Sequence, residues 1–421
     1  MWNNSVFKLR FVRQVPFQEK VMNKRILTKS ATLFSLVTTI VLILSLGVLS
    51  TAAQDEPEPI KIGLYAPMTG PVAFLGEGFE LGATMALEEL DYEIEGVPVE
   101  LVVADNMCNP TDAVNAIRKL IEVDEVDVIL GGGCSSATVA AQPIIAEGET
   151  PAVSATSTNP SIYDGMGVGG NIWQFRVNPD DLIMANAFAD LIADDAGSLG
   201  LVAENTDFGR GALAAYKPLF EEMGVEVVYE DYFDLGTADY RAGLTAIRRA
   251  NPDALLIVMT ERDGSTFMRQ LREVGLEQTI FSRGSLTSPL FVEFTEDDPT
   301  IGEGILEFSF WAFGLDPEHD EAFFERFDTA NSPHRGMSYY VVKDVIAEAI
   351  RAAIEETGEA TRESIRDALA EIDIETPIGP VAFDDHNQAY PFGTIQTIQD
   401  GVPTLLDTIE LVPVERETSE E

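Results

Sequence analysis

The chain has 421 residues with 27 Lys/Arg against 71 Asp/Glu. Seven of the bases but one of the acids precede Gln54, so the remainder carries a net charge of about −50. That balance excludes nucleic acid and anionic membrane as natural partners, because phosphate surfaces are held mainly by Lys/Arg charge. After Gln54 the only lysines are Lys61, Lys119, Lys217 and Lys343, a composition that suits saline surroundings.

The chain opens with the features of a secretion signal, residues 1–53. Asn23-Lys24-Arg25 with Lys29 is a basic region, Ala31–Leu49 an uncharged apolar core, and Thr51-Ala52-Ala53 a small-residue cleavage site. Met22 opens a complete signal by itself, so Met1–Val21 reads as either a start-codon artefact or an extension. The competing reading is an uncleaved anchor, since Ala31–Leu49 approaches the ~20 residues that span a bilayer. No cysteine lies near the cleavage site, which removes a lipidated N-terminus. Residues 54–59 read as an acidic linker and 412–421 as a disordered acidic tail.

From Ile60 onward short apolar runs alternate with amphipathic stretches. Ile60–Tyr65, Val99–Ala104, Val126–Leu130, Leu199–Ala203, Val225–Tyr229 and Ala254–Met259 read as buried parallel strands. Glu80–Leu90, Asp112–Val123, Ala137–Glu147, Asp181–Asp194, Gly211–Met223, Tyr240–Ala250 and Ser265–Val274 carry apolar residues at helical spacing. The alternation predicts an α/β fold with parallel sheets covered on both faces.

The pattern is used twice. Ile62-Gly63-Leu64-Tyr65 followed by Leu75-Gly76-Glu77-Gly78 is echoed by Leu199-Gly200-Leu201-Val202 followed by Phe208-Gly209-Arg210-Gly211. Two Rossmann-like lobes, starting near Ile60 and near Asn178, would enclose a cleft where the C-terminal ends of both sheets meet. The Gly-x-Gly pairs lack the six-residue dinucleotide spacing, so they ease tight turns and call for no cofactor. After Ile305–Trp311 the chain turns helical over Asp320–Ala330, Ser338–Glu356 and Arg362–Glu371, then strand-like over Val381–Phe383, Gly393–Ile398 and Leu405–Leu411. The late helical block predicts discontinuous lobes, 60–177 plus 314–383 and 178–313 plus 384–411.

The segment richest in chemistry is Gly131-Gly132-Gly133-Cys134-Ser135-Ser136, which leaves one apolar strand and opens a helix. Glycines allow a sharp turn, and Ser135 and Ser136 bring hydroxyls to free backbone N–H groups. Such a corner suits an anion, worth about 0.3–1 kcal/mol from the helix end. Outside the cytoplasm, Cys108 and Cys134 are more readily bridged than catalytic, and a bridge would contribute about 3 kcal/mol. The competing reading makes Cys134 a nucleophile, with only His319, His334 or His386 to assist it. No His-Glu-x-x-His cluster and no lysine-bearing phosphate loop supports an enzyme.

Ile60-Lys61-Ile62-Gly63-Leu64 through Met68-Thr69-Gly70-Pro71, Asn106-Met107-Cys108-Asn109-Pro110, Gly133-Cys134-Ser135-Ser136, and Pro151-Ala152-Val153-Ser154 through Thr158-Asn159-Pro160 resemble the type I periplasmic binding proteins of the leucine/isoleucine/valine-binding class. Those are extracytoplasmic solute receptors of ABC importers. The resemblance implies two lobes joined by three crossovers, near Phe175–Pro179, Phe308–Gly314 and Phe383–Tyr390, and a Cys108–Cys134 bridge. It gives Ser135, with Ser136 beside it, to the ligand carboxylate. Thr156 and Thr158 would complete the carboxylate and ammonium contacts, and Phe208 would form an aromatic wall on the second lobe. It also implies hinge closure, a permease partner in the membrane and a monomer.

Three positions depart from that pattern. The acid that pairs with a ligand ammonium is replaced by Gly284, preceded by Arg283; a first-lobe aromatic is Leu75; a second-lobe tyrosine is Thr260, flanked by Glu261 and Asp263. A buried ammonium needs a counter-charge, so Glu204, Asp207, Glu261 or Asp263 would have to supply it. Failing that, the ligand is a carboxylate without an α-amine, and Arg283 takes a second acidic group or pairs with an acid on the rim. Tyr65, Trp311 and Phe313 read as core more readily than as cleft lining. One of Tyr339 and Tyr340 is expected to face the core. The sequence thus points to a secreted receptor for an amino acid or related small carboxylate, with a sensor anchored by Ala31–Leu49 as the alternative and an enzyme as a third.

Overall fold

The structure, a computed structural model, describes residues 57–416; the signal region to Ala53 and residues 417–421 lie outside them. The first lobe is built on strands β1 (Ile60–Ala66), β2 (Glu93–Ile94), β3 (Val97–Asp105), β4 (Val128–Gly131), β5 (Ala152–Ser154) and β6 (Gln174–Arg176). They lie in the order β2-β3-β1-β4-β5-β6, parallel except for the β2–β3 hairpin. β1 is central, and Ile62 and Leu64 are wholly buried, because helices cover both faces of the sheet.

The second lobe uses β7 (Ser198–Glu204), β8 (Glu226–Phe233), β9 (Ala254–Val258), β10 (Thr279–Ser282) and β11 (Leu306–Ser309), all parallel. After the hairpin β12 (Asp373–Thr376) and β13 (Gly379–Ala382), β14 (Phe392–Gln399) and β15 (Val402–Glu410) complete this sheet. β14 runs antiparallel to both β11 and β15, at one edge of an otherwise parallel sheet. The β14–β15 pairing has a local cause: Asp400 and Gly401 both adopt positive φ, the backbone of a two-residue hairpin turn, so the chain folds straight back.

The chain passes between the lobes after β6, after β11 and after β13. Following β11, helices Pro317–Phe327, Pro333–Tyr340, Ala347–Thr357 and Arg362–Ala370 return to the first sheet, where Met337, Val341, Ile346, Ile365 and Leu369 share a core with Ile62, Leu64, Val128 and Leu130. Tyr339 and Tyr340 both enter that core, each with its hydroxyl on an acid, Glu89 and Asp316 respectively. Tyr65 and Trp311 are also core residues, and Phe313 packs against the core edge.

The crossovers are laced by buried polar groups. Arg176, with no exposed surface, donates through Nε to Gln388 (2.6 Å) and through a terminal nitrogen to Asp180 (2.9 Å). Arg416 donates to the same Asp180 carboxylate (2.5 Å) and stacks 3.5 Å from the centre of the Tyr163 ring. Of the tail read as disordered, residues 412–416 are described and Arg416 makes these contacts, while 417–421 lie outside the described residues.

Candidate ligand-binding site

The anion corner is assembled by the turn out of β4. Gly131 and Gly132 have positive φ, and a Cβ on Gly132 would fall 2.3 Å from Thr138 Oγ1, so only glycine fits. Asn106 Nδ2 donates to the Gly132 carbonyl (2.8 Å), and a disulfide joins Cys108 to Cys134, with their Cα atoms 5.5 Å apart. The bridge removes Cys134 as a nucleophile. Helix Ser135–Glu147 then begins without a side-chain cap on its N-cap residue, Cys134. Among the described residues the N–H groups of Ser135 and Ser136 have no acceptor, and these are what a bound carboxylate would satisfy.

The loop after β5 faces this corner. Thr156 Oγ1 is buried with no partner, and Thr158 Oγ1 lies beside the Asp181 carboxyl without a hydrogen bond of ordinary geometry. Orphaned buried hydroxyls are costly, which favours a ligand that engages them.

Across the cleft stand the C-terminal ends of four parallel strands, each contributing side chains: Glu204 from β7, Met259 and Thr260 from β9, Arg283 to Ser285 from β10, and Ser309 and Phe310 from β11. Helix Asp207–Glu222 adds Phe208. Of the residues the sequence singled out, the structure brings Ser135, Ser136, Thr156, Thr158, Leu75, Phe208, Thr260 and Arg283 around one cavity, about 660 Å³ with its open mouth. Sequence reasoning missed Val72, Leu235, Phe310 and His334, which have no local signature because the lobes bring them together.

Arg283 is not on the rim. It is buried and paired with Asp181, 102 positions away in sequence, at 2.8 Å, while its Nε has no partner. Its guanidinium lies 6.0 Å from the Phe208 ring centre and 5.8 Å from that of Phe310. Burial pushes the Asp181 carboxyl up to about 7 despite the arginine. Gly284 cannot carry a side chain: a Cβ there would lie 2.1 Å from the Met259 carbonyl oxygen.

Of the four acids weighed as counter-charges, Glu204 alone lines the cavity. Its Oε1 accepts from both the N–H and the hydroxyl of Thr260, each at 2.7 Å, and burial pushes it up to about 7. Glu261, expected at the site, lies wholly buried behind the wall at the start of helix Glu261–Glu273, with neither oxygen hydrogen-bonded; burial pushes it up to about 8. Asp263 accepts from Gly236 N–H (2.9 Å), and Asp207 contributes through its backbone alone.

The lobes touch across the cleft. Asp207 N–H donates to Ser136 Oγ (3.2 Å), Asn159 Nδ2 donates to the Asp207 carbonyl (2.5 Å), and Phe74 meets Phe294 edge-on at 5.7 Å. Gly211 lies so close to Asn159 that a Cβ would come within 2.5 Å of its Nδ2.

Two α/β lobes that turn their strand ends onto one shared cavity, joined by three passages and carrying an open helix start, define a two-lobed solute-binding protein. The chain belongs to the periplasmic binding protein family, whose sequence profile matches residues 59–401. It has the type I fold of its structural neighbours and is an extracytoplasmic solute-binding protein rather than an enzyme. It is 28% identical over 300 residues to an amino acid binding protein of Pseudomonas aeruginosa, covering 69% of this chain and 77% of that one. It is 26% identical over 335 residues to a leucine-, isoleucine-, valine-, threonine- and alanine-binding protein of the same organism, covering 78% and 86%. In fold it matches an ABC transporter solute-binding protein from Rhodopseudomonas palustris in complex with benzoate, with a TM-score of 0.76 at 17% identity over 85% of this chain and 98% of the other. Among the described residues no helix is long and apolar enough to cross a membrane.

Proposed function

We propose that this protein is the solute receptor of an ABC importer, capturing an amino acid or related small carboxylate between its lobes and delivering it to a membrane permease. One observation carries the reading: unpartnered N–H groups at Ser135 and Ser136 converge with the buried, unpartnered hydroxyl of Thr156 on a cavity walled by Leu75, Phe208 and Phe310. A ligand held first on the Ser135 side draws the second lobe down, and closure is favoured only as far as the closed form binds it better than the open one. The relatives bind amino acids by their names, which supports the same class here.

The test is a thermal-shift screen over aliphatic, aromatic and acidic amino acids and simple carboxylates. A ligand at 100 times its Kd stabilises the fold by about 2.7 kcal/mol. If Ser135→Ala and Thr158→Ala both leave that shift intact, the site is elsewhere. Loss of uptake of the same compound on deletion of the gene tests delivery. A second reading, an aromatic carboxylate without an amine, has in its favour Arg283 placed between the Phe208 and Phe310 rings and the benzoate bound by a neighbour in fold.

A further inference from the structure

We infer that Glu204 reads the ligand's α-ammonium, so that the receptor selects amino acids over the same carboxylates without the amine; this rests on the reading of the cleft as a carboxylate site. The acid expected for that task is replaced by Gly284, and the Met259 carbonyl leaves no room for any side chain there. The neighbouring cation, Arg283, is already committed to Asp181. Among the described residues that line the cavity, Glu204 is the only carboxylate.

Its geometry suits the task. Oε1 is fixed by two donors from Thr260, and Oε2 makes no hydrogen bond in the protein, which leaves one oxygen for a donor that arrives with the ligand. Among the described residues no cation is bonded to it. The groups around it are the N-terminus of helix Glu261–Glu273 at Thr260, the acids Asp263 and Glu261, and the Tyr240 hydroxyl, with Arg283 and His334 further round the cavity. An amine-free carboxylate brings a second negative charge into this enclosure, whereas a zwitterion brings its own compensation. Ammonium binding therefore favours the ionised form of Glu204, and near neutral pH it is coupled to release of a proton.

Isothermal titration of the full chain with matched pairs tests this: L-leucine and 4-methylpentanoate, L-phenylalanine and 3-phenylpropanoate, L-alanine and propanoate. The amino acid of the pair that fits is expected to bind at least about 10-fold tighter, the scale of a charge-assisted hydrogen bond. Glu204→Gln keeps an acceptor for Thr260; it is expected to weaken the amino acid at least about 10-fold, leave the amine-free partner unchanged or tighter, and abolish the proton release read from buffer dependence. Equal affinities within every pair, or a preference that survives in Glu204→Gln, overturn the inference. The double variant Ser135→Ala/Thr156→Val is the independent control, since it removes the hydroxyls at both sides of the corner: if it does not weaken binding of either member, the carboxylate reading falls, whatever Glu204 does. Failure of every compound to bind overturns both.

Discussion

Ser136, in the first turn of helix Ser135–Glu147, accepts the N–H of Asp207 from the opposite lobe at 3.2 Å. In the proposed site the same turn would serve both capture and closure. Ser136→Ala removes one neutral hydrogen bond made only when the lobes meet, worth about 0.5–1.5 kcal/mol. The expected result is ligand affinity about 2–10-fold weaker in titration calorimetry, with the unfolding midpoint of the ligand-free protein little changed.

The disulfide sits beside that turn, and both Cys108 and Cys134 line the cavity. It encloses a loop of sequence separation 26, which by chain-entropy arithmetic corresponds to about 3–4 kcal/mol. Replacing both cysteines by serine should lower stability by about that amount in urea denaturation. Ligand affinity should fall too, since Cys134 is the N-cap of helix Ser135–Glu147.

Restoring the absent family acid at Gly284 should fail. Even Gly284→Ala must push back the Met259 main chain, and overpacking of this kind costs about 1–3 kcal/mol. Gly284→Glu is expected to lower the thermal midpoint further without raising affinity for any amino acid. A gain in affinity would show that the strand ends can spread.

Stability should depend on pH through buried acids. Glu204 and Asp181 are held at about 7, Glu261 at about 8 and Glu307 at about 6. Each folded value lies above the ordinary carboxylate range, so the native state binds more protons than the unfolded chain, and stability falls as pH rises through that window. His319 and His334, pressed down to about 4 and 3 by burial, act oppositely below 6.5. Urea midpoints should therefore be higher at pH 6.5 than at pH 8. Glu261→Gln should raise the value at pH 8 and flatten the slope; an unchanged slope would mean that Glu261 is solvated in the native protein.

The apolar runs of β1, β4, β7 and β9 were legible because strands covered on both faces are apolar throughout, whereas β3 and β8, read as buried, are only partly covered. β5, β6 and β10 were not: they are only three or four residues long, and they carry buried polar groups, of which Arg176 and Ser282 find their partners far along the chain, at Gln388 and Glu307. The same division holds at the site. Ser135 and Ser136 announce themselves because a helix start is a local feature. The Arg283–Asp181 pair and the withdrawal of Glu261 behind the wall depend on how the second lobe folds against the first, and no short motif encodes either.

Gly211 has a use that follows from its contact with Asn159. A bulky residue at 211 would act as a doorstop, propping the lobes apart by pressing on Asn159, whose N–H reaches Ser135 Oγ at 3.2 Å. Such a variant would separate first contact from closure: a binding protein able to touch its solute on one side yet unable to shut on it, and, if the proposed importer role holds, a probe of whether the membrane partner responds to the closed shape or to the solute itself.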